Sequence, residues 1–160
     1  MAYEGKARSL ILKLKHSDRT DLARPAAHWL ADRLSGKLDP KTLVVPVPIH
    51  PVRLLHRRYN QAALIARGVA RQLDLPLEVN ALLRKKATQT LDDLTVVERF
   101  AILAGAISAN PKVDFTGAKV VVIDDVMTSG ATLSAAADAL YRAGAQDVCV
   151  AVLARVLKAP

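Results

Sequence analysis

The chain has 160 residues, 51% of them hydrophobic, which is enough for one domain with a sizeable core. Its formal net charge of +8, from 23 Lys and Arg against 15 Asp and Glu, favours anionic partners such as nucleic acid or a polyphosphate metabolite. The apolar runs are too short to span a membrane and the N-terminus lacks the pattern of a signal peptide, so we expect a cytoplasmic protein without membrane insertion. Aromatic residues make up only 4% of the chain and are scattered. The composition therefore gives only weak support to a protein that binds single-stranded nucleic acid by stacking bases on aromatic side chains.

The N-terminal part of the chain has the spacing of two helices. From Ala7, apolar residues recur at helical intervals with lysine and arginine on the other faces, which predicts a short amphipathic helix. A second helix is predicted over residues 21–34. Its buried stripe would consist of Trp29, Leu30 and Leu34. We therefore expect residues 1–40 to be a helical segment within a single domain that spans residues 1–160.

A strand, a basic turn and a helix come next. Residues 42–48 form an apolar, β-branched run that ends among prolines, including Pro48, and this predicts a buried strand followed by a stiff turn. The turn carries a cluster of basic side chains: Arg53, His56, Arg57 and Arg58. Asn60 is a suitable N-cap for a helix over residues 61–74.

The second half of the chain also alternates between strands and helices. The further elements are a weak strand over 77–83, a mobile loop over 84–93, a helix over 95–105, a short apolar stretch over 106–109 and a last buried strand over 147–153. The single cysteine, Cys149, lies in that last strand and is interpreted as a buried thiol rather than a disulfide or metal ligand. The alternation predicts an α/β fold, with a mostly parallel central sheet flanked by helices and ligands bound beyond the strand C-termini.

The stretch over residues 120–133 combines a strand, two acids and a small polar turn. Residues 120–123 are β-branched without helical period, as in a strand buried on both faces, and Asp124 and Asp125 sit where this run ends. A turn of small or hydroxyl-bearing residues then leads into a helix that extends to Arg142: Thr128, Ser129, Gly130, Ala131 and Thr132. Because the first amides of a helix lack internal partners, this turn predicts an anion site.

A sugar phosphate would suit both parts of this stretch. Asp124 and Asp125 could accept hydrogen bonds from two ring hydroxyls while the turn holds the phosphate. Two other interpretations are open: the acids could cap the next helix, or they could form the acidic pocket of a receiver domain. Neither requires the small, hydroxyl-rich turn that follows them.

The order of motifs resembles a known family. The stretch V-I-D-D-V-M-T-S-G-A-T resembles the ribose 5-phosphate signature of type I phosphoribosyltransferases. Together with four outer motifs it resembles the ComF family, the competence-associated, phosphoribosyltransferase-like proteins. The outer motifs are P-V-P at 46–48, R-Y-N-Q at 58–61, T-Q at 88–89 and E-R at 98–99. Members of this family often carry an N-terminal zinc module rich in cysteine; this chain begins after the place where it would lie, so the resemblance carries no zinc site over to it.

The resemblance implies an enzyme that uses phosphoribosyl pyrophosphate. Asp124 and Asp125 would be catalytic, and Lys85 or Lys86 would reach the diphosphate when their loop closes. The 5-phosphate would be bound by residues 128–132, and the leaving pyrophosphate by the segment containing Pro48, Arg53, Arg57 and Arg58. Magnesium would be the cofactor, bridged by the substrate near the two acids rather than ligated directly by a protein site. In purine salvage enzymes an acid stands where this chain has Thr128, so a 6-oxopurine acceptor is not expected.

Other functions are compatible with the same residues. The ComF resemblance also allows a catalytically idle accessory protein of DNA uptake that binds DNA or a competence-protein partner, and a regulator that senses the ligand lies between the two. The chain contains neither G-x-G-x-x-G nor G-K-[ST], which argues against dinucleotide and nucleoside triphosphate loops. The acceptor, and whether the protein assembles as a homo-oligomer, are left open.

Overall fold

A computed structural model describes residues 2–5, 9, 11–13, 20–84, 95, 98, 102–103 and 105–156, with the backbone alone at 53, 56 and 57. The helices whose two ends lie within these residues are α1 (Ala23–Leu34, after a 3-10 turn at Thr20–Leu22), α2 (Pro51–Arg57), α3 (Gln61–Leu73) and α4 (Ala131–Arg142). The strands are β1 (Leu43–Pro46), β2 (Leu82–Arg84), β3 (Ile107–Ala109), β4 (Lys119–Met127) and β5 (Asp147–Arg155). In these described ranges no helix is long and apolar enough to cross a membrane.

The central sheet has the order β1-β4-β5, and both strand pairs are parallel. Leu43 lies opposite Val120 and Pro46 opposite Ile123, so the C-terminal ends of β1 and β4 share one edge of the sheet. Strands β2 and β3 form a separate antiparallel pair. The predicted α/β fold with a mostly parallel sheet and flanking helices is therefore confirmed.

β4 lies at the centre of the core because its apolar run is covered on both faces. Val120 and Val122 pack with α4, β2 and β3, whereas Val121 and Ile123 pack with α1 and α3. All four side chains are fully buried, and each contributes about 1.5–3 kcal/mol by leaving water. Burial on both faces is what the β-branched run predicted, since apolar and polar residues do not alternate in it.

The weak strand predicted over 77–83 is only partly correct. Leu77 forms a single parallel bridge with Val44, through hydrogen bonds from Val44 N to Pro76 O (2.8 Å) and from Glu78 N to Val44 O (3.1 Å). The strand itself, β2, begins later, at Leu82, and pairs antiparallel with β3. The segment therefore extends the central sheet at one point and then leaves it.

α1 and α3 pack closely because small residues face each other. The buried positions of α1 are Ala23, Ala26, Ala27, Leu30 and Ala31. A Cβ added to Gly68 of α3 would lie 2.4 Å from the Cβ of Ala27, so only glycine fits at this contact. The prediction that Trp29 faces the core is wrong: the residue is 50% exposed, because the alanine stripe and not the largest apolar side chain defines the packed face.

β5 is an edge strand, which corrects the prediction of a fully buried one. It extends to Arg155 rather than 153, and its first four residues are exposed or only partly buried. Cys149 is exposed, so the buried thiol predicted there is wrong. Partial desolvation and the nearby Asp147 carboxylate nevertheless raise the pKa of its thiol.

The exposed residue Asp39 stabilises the turn before β1, on the N-terminal side of the sheet. The Asp39 carboxylate accepts hydrogen bonds from Lys41 N (2.9 Å) and from Lys119 Nζ (3.0 Å). These two interactions hold the pKa of Asp39 below its usual range. The Lys119 bond ties the turn before β1 to the first residue of β4.

Several predicted elements lie largely outside the described residues. Of the helix from Ala7, Ile11 is described as helical and fully buried. The loop prediction over 84–93 is described only at Arg84, which ends β2. The helix predicted from Thr95 begins with a capping box, since Thr95 N donates to Glu98 Oε2 (2.8 Å) and Glu98 N donates to Thr95 Oγ1 (3.3 Å).

Candidate functional site

The two acids lie inside β4, three and two residues before its last residue, Met127. This corrects the expectation that they follow the strand: β4 continues to Met127 because β5 still pairs with it, with Asp124 opposite Val152. β1 has already ended opposite Ile123, where Val47 N donates to Ile123 O (2.9 Å). The acids thus lie where the sheet changes from three strands to two, beside the C-terminal end of β1. We call this place the narrowed edge of the sheet.

The acids differ in burial and are coupled through the backbone. Asp125 is only 6% exposed, whereas Asp124 is partly buried. Asp125 N donates a hydrogen bond to Asp124 Oδ1 at 2.8 Å. That bond holds the Asp124 carboxylate close to the strand, where a ligand lying across the narrowed edge would meet it.

The turn after β4 presents a helix N-terminus. Gly130 is the N-cap of α4 at φ +82°, a left-handed conformation that glycine adopts without strain. Glycine has no side chain to cap the helix. Instead, Ser129 Oγ accepts a long hydrogen bond from Ala131 N (3.4 Å), and Ser134 N donates to Gly130 O (2.9 Å). Thr128 is exposed, while Ser129 and Thr132 are partly buried and Ala131 is buried. The arrangement leaves first-turn amides and small hydroxyls together at the positive end of α4.

The basic segment follows β1 at the same edge, but it is not a plain turn. Seven of its residues form α2, which His50 caps by accepting a hydrogen bond at Nδ1 from Val52 N (3.2 Å). Pro48 is buried in the connection to that helix. Arg58 ends α2 in a left-handed conformation (φ 62°) and its side chain is exposed. The side chains of Arg53 and Arg57 lie outside the described part of the structure, so their predicted role stays a prediction.

Asn60 fixes the start of α3 against this edge. Its Nδ2 donates to Val47 O (3.0 Å), and its Oδ1 accepts from Ala62 N (3.0 Å), as predicted for an N-cap. Since Val47 is itself bonded to Ile123, a chain of hydrogen bonds links the N-terminus of α3 to the part of β4 that precedes the acids. The proline-rich connection is therefore held in place from both sides.

Gln61 is a buried polar residue that the sequence analysis did not single out. It is 4% exposed, and its Nε2 has no hydrogen-bond partner among the described residues. It is the first residue of α3, directly after Asn60. The only signal in the sequence was its place in the R-Y-N-Q motif, which does not tell whether a glutamine at a helix start is exposed or buried.

The remaining predicted residues cannot be placed with the acids. Lys85 and Lys86 follow the end of β2 and lie outside the described residues. In the part of the chain that the structure describes, no group of three or more His, Cys, Asp or Glu could hold a metal ion. Two neighbouring carboxylates alone fit a magnesium ion that takes most of its ligands from water and phosphate oxygens.

Comparison with known proteins identifies the family of this domain. The family model described as "Phosphoribosyl transferase domain" matches residues 60–159, which include the acids and the turn but not the basic segment. Competence protein F of Haemophilus influenzae is 36% identical over 113 residues, covering 70% of this chain and 49% of that protein. DNA utilization protein YhgH of Escherichia coli K12 is 32% identical over 154 residues, covering 92% and 66%. The chain thus spans about half to two thirds of the length of these relatives.

Solved structures support the same fold. The glutamine phosphoribosylpyrophosphate amidotransferase from B. subtilis superposes with a TM-score of 0.58 at 21% identity, covering 89% of this chain and 30% of that one. A purine phosphoribosyltransferase from Pyrococcus horikoshii gives 0.53 at 19% identity, covering 86% and 77%. The chain belongs to the phosphoribosyl transferase domain family, as a ComF-like member with the type I fold.

Proposed function

We propose that this protein binds phosphoribosyl pyrophosphate and transfers its ribose 5-phosphate to an acceptor, with release of pyrophosphate. The observation that carries the proposal is the position of Asp124 and Asp125 at the narrowed edge of the sheet, a few residues before the helix start at Gly130. Carboxylates and unpaired helix amides are the two kinds of group that a phosphorylated pentose needs at its opposite ends.

The residues would act on separate parts of the substrate. Asp124 and Asp125 would accept hydrogen bonds from the ribose hydroxyls and place negative charge beside the cationic character that develops at C1. The amides and hydroxyls of residues 128–132 would hold the 5-phosphate. Arg58, exposed at the end of α2, would attract the leaving pyrophosphate together with its neighbouring arginines.

Magnesium fits this scheme as a substrate-bound ion. When bound, it would neutralise part of the diphosphate charge and help orient the leaving group. The carboxylates of Asp124 and Asp125 are the oxygen donors that would lie nearest to it, and two such donors match the small number of protein ligands that magnesium takes at phosphate sites. We place the activity in the cytoplasm, where the exposed thiol of Cys149 would stay reduced.

Ligand-induced stabilisation tests the proposal. Phosphoribosyl pyrophosphate with magnesium should stabilise the protein by about 2.7 kcal/mol when its concentration is a hundredfold above the dissociation constant. Asp124→Asn combined with Asp125→Asn should abolish that stabilisation. Asp138→Asn, at an exposed position of α4, removes a carboxylate on the adjoining helix and should keep it. Equal stabilisation of the double variant and the wild type would refute the assigned site.

A second candidate is a binding protein that keeps the ligand site without turning the ligand over. It is favoured by the names of the relatives, competence protein F and DNA utilization protein, which refer to competence and to the use of DNA and not to a transferase reaction. Pyrophosphate release, measured across a panel of nucleobases and amines, separates the two. Release with one acceptor identifies the enzyme and its substrate, whereas ligand binding without release from any of them favours the accessory or sensing role.

A further inference from the structure

A groove with an apolar floor and a basic rim lies between α1 and α3. Two adjoining cavities of about 640 and 680 Å³ open on the surface of this helix pair. They form one groove, because Arg24, Gly68 and Arg71 line both of them. Arg71 lies eleven residues after the N-cap Asn60, or about 16 Å along α3. The basic part of the groove is therefore separate from the narrowed edge of the sheet.

The floor of the first cavity is apolar. Ala23 and Ala70 lie beneath it and are each only 5% exposed. Leu64, Leu75 and Leu77 are partly buried: they pack against the core on one side and line the cavity on the other. Part of the surface of these leucines is still in contact with water. An apolar side chain of a ligand would bind there favourably, because it would remove that surface from water.

Three exposed arginines form the rim. Arg24 belongs to α1, whereas Arg67 and Arg71 are one turn apart on α3, so both walls of the groove carry positive charge. In the part of the chain that the structure describes, these guanidinium groups form no ion pair. Asp74 is the one carboxylate among the described residues that line the first cavity. The rim is therefore net positive and attracts anionic groups.

A neighbouring carboxylate is bound elsewhere. Asp32 accepts a hydrogen bond from Gln72 Nε2 (3.2 Å) and lies 3.6 Å from His28 Nε2. His28 Nδ1 and Gln72 Oε1 are 3.1 Å apart, which closes a network between α1 and α3. Because Asp32 is directed toward these two side chains, it does not neutralise the arginines of the rim.

The groove is preformed. A Cβ at Gly68 would lie 2.4 Å from the Cβ of Ala27, so the two helices are in close contact and have little freedom to shift against each other. The leucines of the floor and the arginines of the rim therefore keep their relative places when a ligand binds. A ligand of matching shape would not have to order the helices first, which favours binding.

The floor and the rim together favour an acidic peptide over a nucleic acid. Phosphates would use the arginines but would leave the leucines of the floor uncovered, and no aromatic residue is among the described residues that line either cavity to stack a base. A peptide with an apolar residue between acidic ones matches both parts, since carboxylates form strong hydrogen bonds with guanidinium groups. Asp74 could accept a hydrogen bond from a backbone amide of the peptide, whereas it would repel a phosphate.

We propose that the groove between α1 and α3 is a docking surface for an acidic segment of a partner protein. A bulky apolar side chain of that segment lies on Leu64, Leu75 and Leu77, and its carboxylates bind Arg24, Arg67 and Arg71. The proposal does not rest on the transferase site.

Peptide selection on the full chain tests the proposal without a known partner. Random short peptides displayed on phage should be enriched for sequences that combine acidic residues with a neighbouring leucine, isoleucine or phenylalanine. The most enriched peptide is then labelled and its dissociation constant measured by fluorescence anisotropy. Replacing its apolar residue by serine should raise that constant about tenfold or more, because burial of such a side chain contributes this much. Replacing its acidic residues by the corresponding amides should have a similar effect.

Variants of the protein place the binding in the groove. Arg67→Glu combined with Arg71→Glu should raise the dissociation constant of the peptide about tenfold or more, because charge-assisted hydrogen bonds are lost and like charges meet. Both residues are exposed, so the urea midpoint should change little. Lys112→Glu combined with Arg142→Glu makes the same charge change at exposed residues that do not line the groove. This control should bind the peptide within about twofold of the wild type.

Four results would overturn the proposal. The first is a selection that enriches no peptide with both acidic and apolar residues. The second is a selected peptide that binds equally well after its apolar residue is replaced by serine. The third is a control variant that weakens binding as much as the variant of the rim. The fourth is an oligothymidylate that needs Arg67 and Arg71 for binding and is not displaced by the selected peptide, which would assign the groove to nucleic acid.

Discussion

The glycine at the start of α4 allows the proposed phosphate-binding turn to be tested apart from folding. Gly130 has φ +82°, and a Cβ added there would meet only Met127 side-chain atoms, at 3.8 and 4.0 Å, which are ordinary contacts. The cost of Gly130→Ala is therefore conformational and not steric, and a non-glycine residue in the left-handed region costs about 1–2 kcal/mol. For a domain of this size, each kcal/mol should lower the melting temperature by roughly 2–4 °C.

A matched variant separates stability from binding. Gly117, in the turn before β4, has φ +69° and no atom within 4 Å of an added Cβ, so Gly117→Ala should cost the same free energy. We expect both variants to lose about 1–2 kcal/mol in urea unfolding. Only Gly130→Ala should also weaken the binding of phosphoribosyl pyrophosphate with magnesium, because it alters the turn that orients the amides. The dissociation constant should rise about tenfold or more.

Two results would refute this reasoning. If both variants lose stability equally and both retain full ligand affinity, the turn after β4 does not hold the phosphate. If Gly130→Ala is as stable as the wild type, the left-handed conformation at the start of α4 is not required. In either case the assignment of residues 128–132 would have to be abandoned or rebuilt on other contacts.

Further variants test the fold and its pH dependence. Gly68→Ala should lower the urea midpoint, because overpacking against Ala27 costs about 1–3 kcal/mol and the opposing gain in helix propensity is only about 1 kcal/mol. Adding Ala27→Gly to this variant should recover part of the lost stability. The pKa of Asp39 is lowered by its bonds to a backbone amide and a lysine, so its stabilising effect is present above the ordinary pKa of aspartate and is lost as pH falls through the lowered one. Asp39→Asn should therefore flatten the acid limb of the stability curve, and an unchanged limb would contradict this. The raised pKa of Cys149 predicts alkylation at pH 8 slower than that of a free thiol, and Asp147→Asn should accelerate it.

The residues of the candidate site could be identified from the sequence because they lie close together along the chain. The acids, the glycine and the hydroxyls all lie between positions 124 and 132, and each has a preference that does not depend on distant residues. The length of β4 was not predictable in this way. Aspartate is unfavourable in strands, yet Asp124 continues β4 because Val152, far along the chain, pairs with it.

The errors at Trp29 and Cys149 have a related physical cause. Hydrophobicity predicts which residues prefer burial, but not which face a neighbour covers. In α1 the covered face consists mostly of alanines, because α3 approaches too closely for a large ring to fit between the helices. In β5 the apolar run lies at the edge of the sheet, so Cys149 has no strand beyond it within the described residues to cover that side.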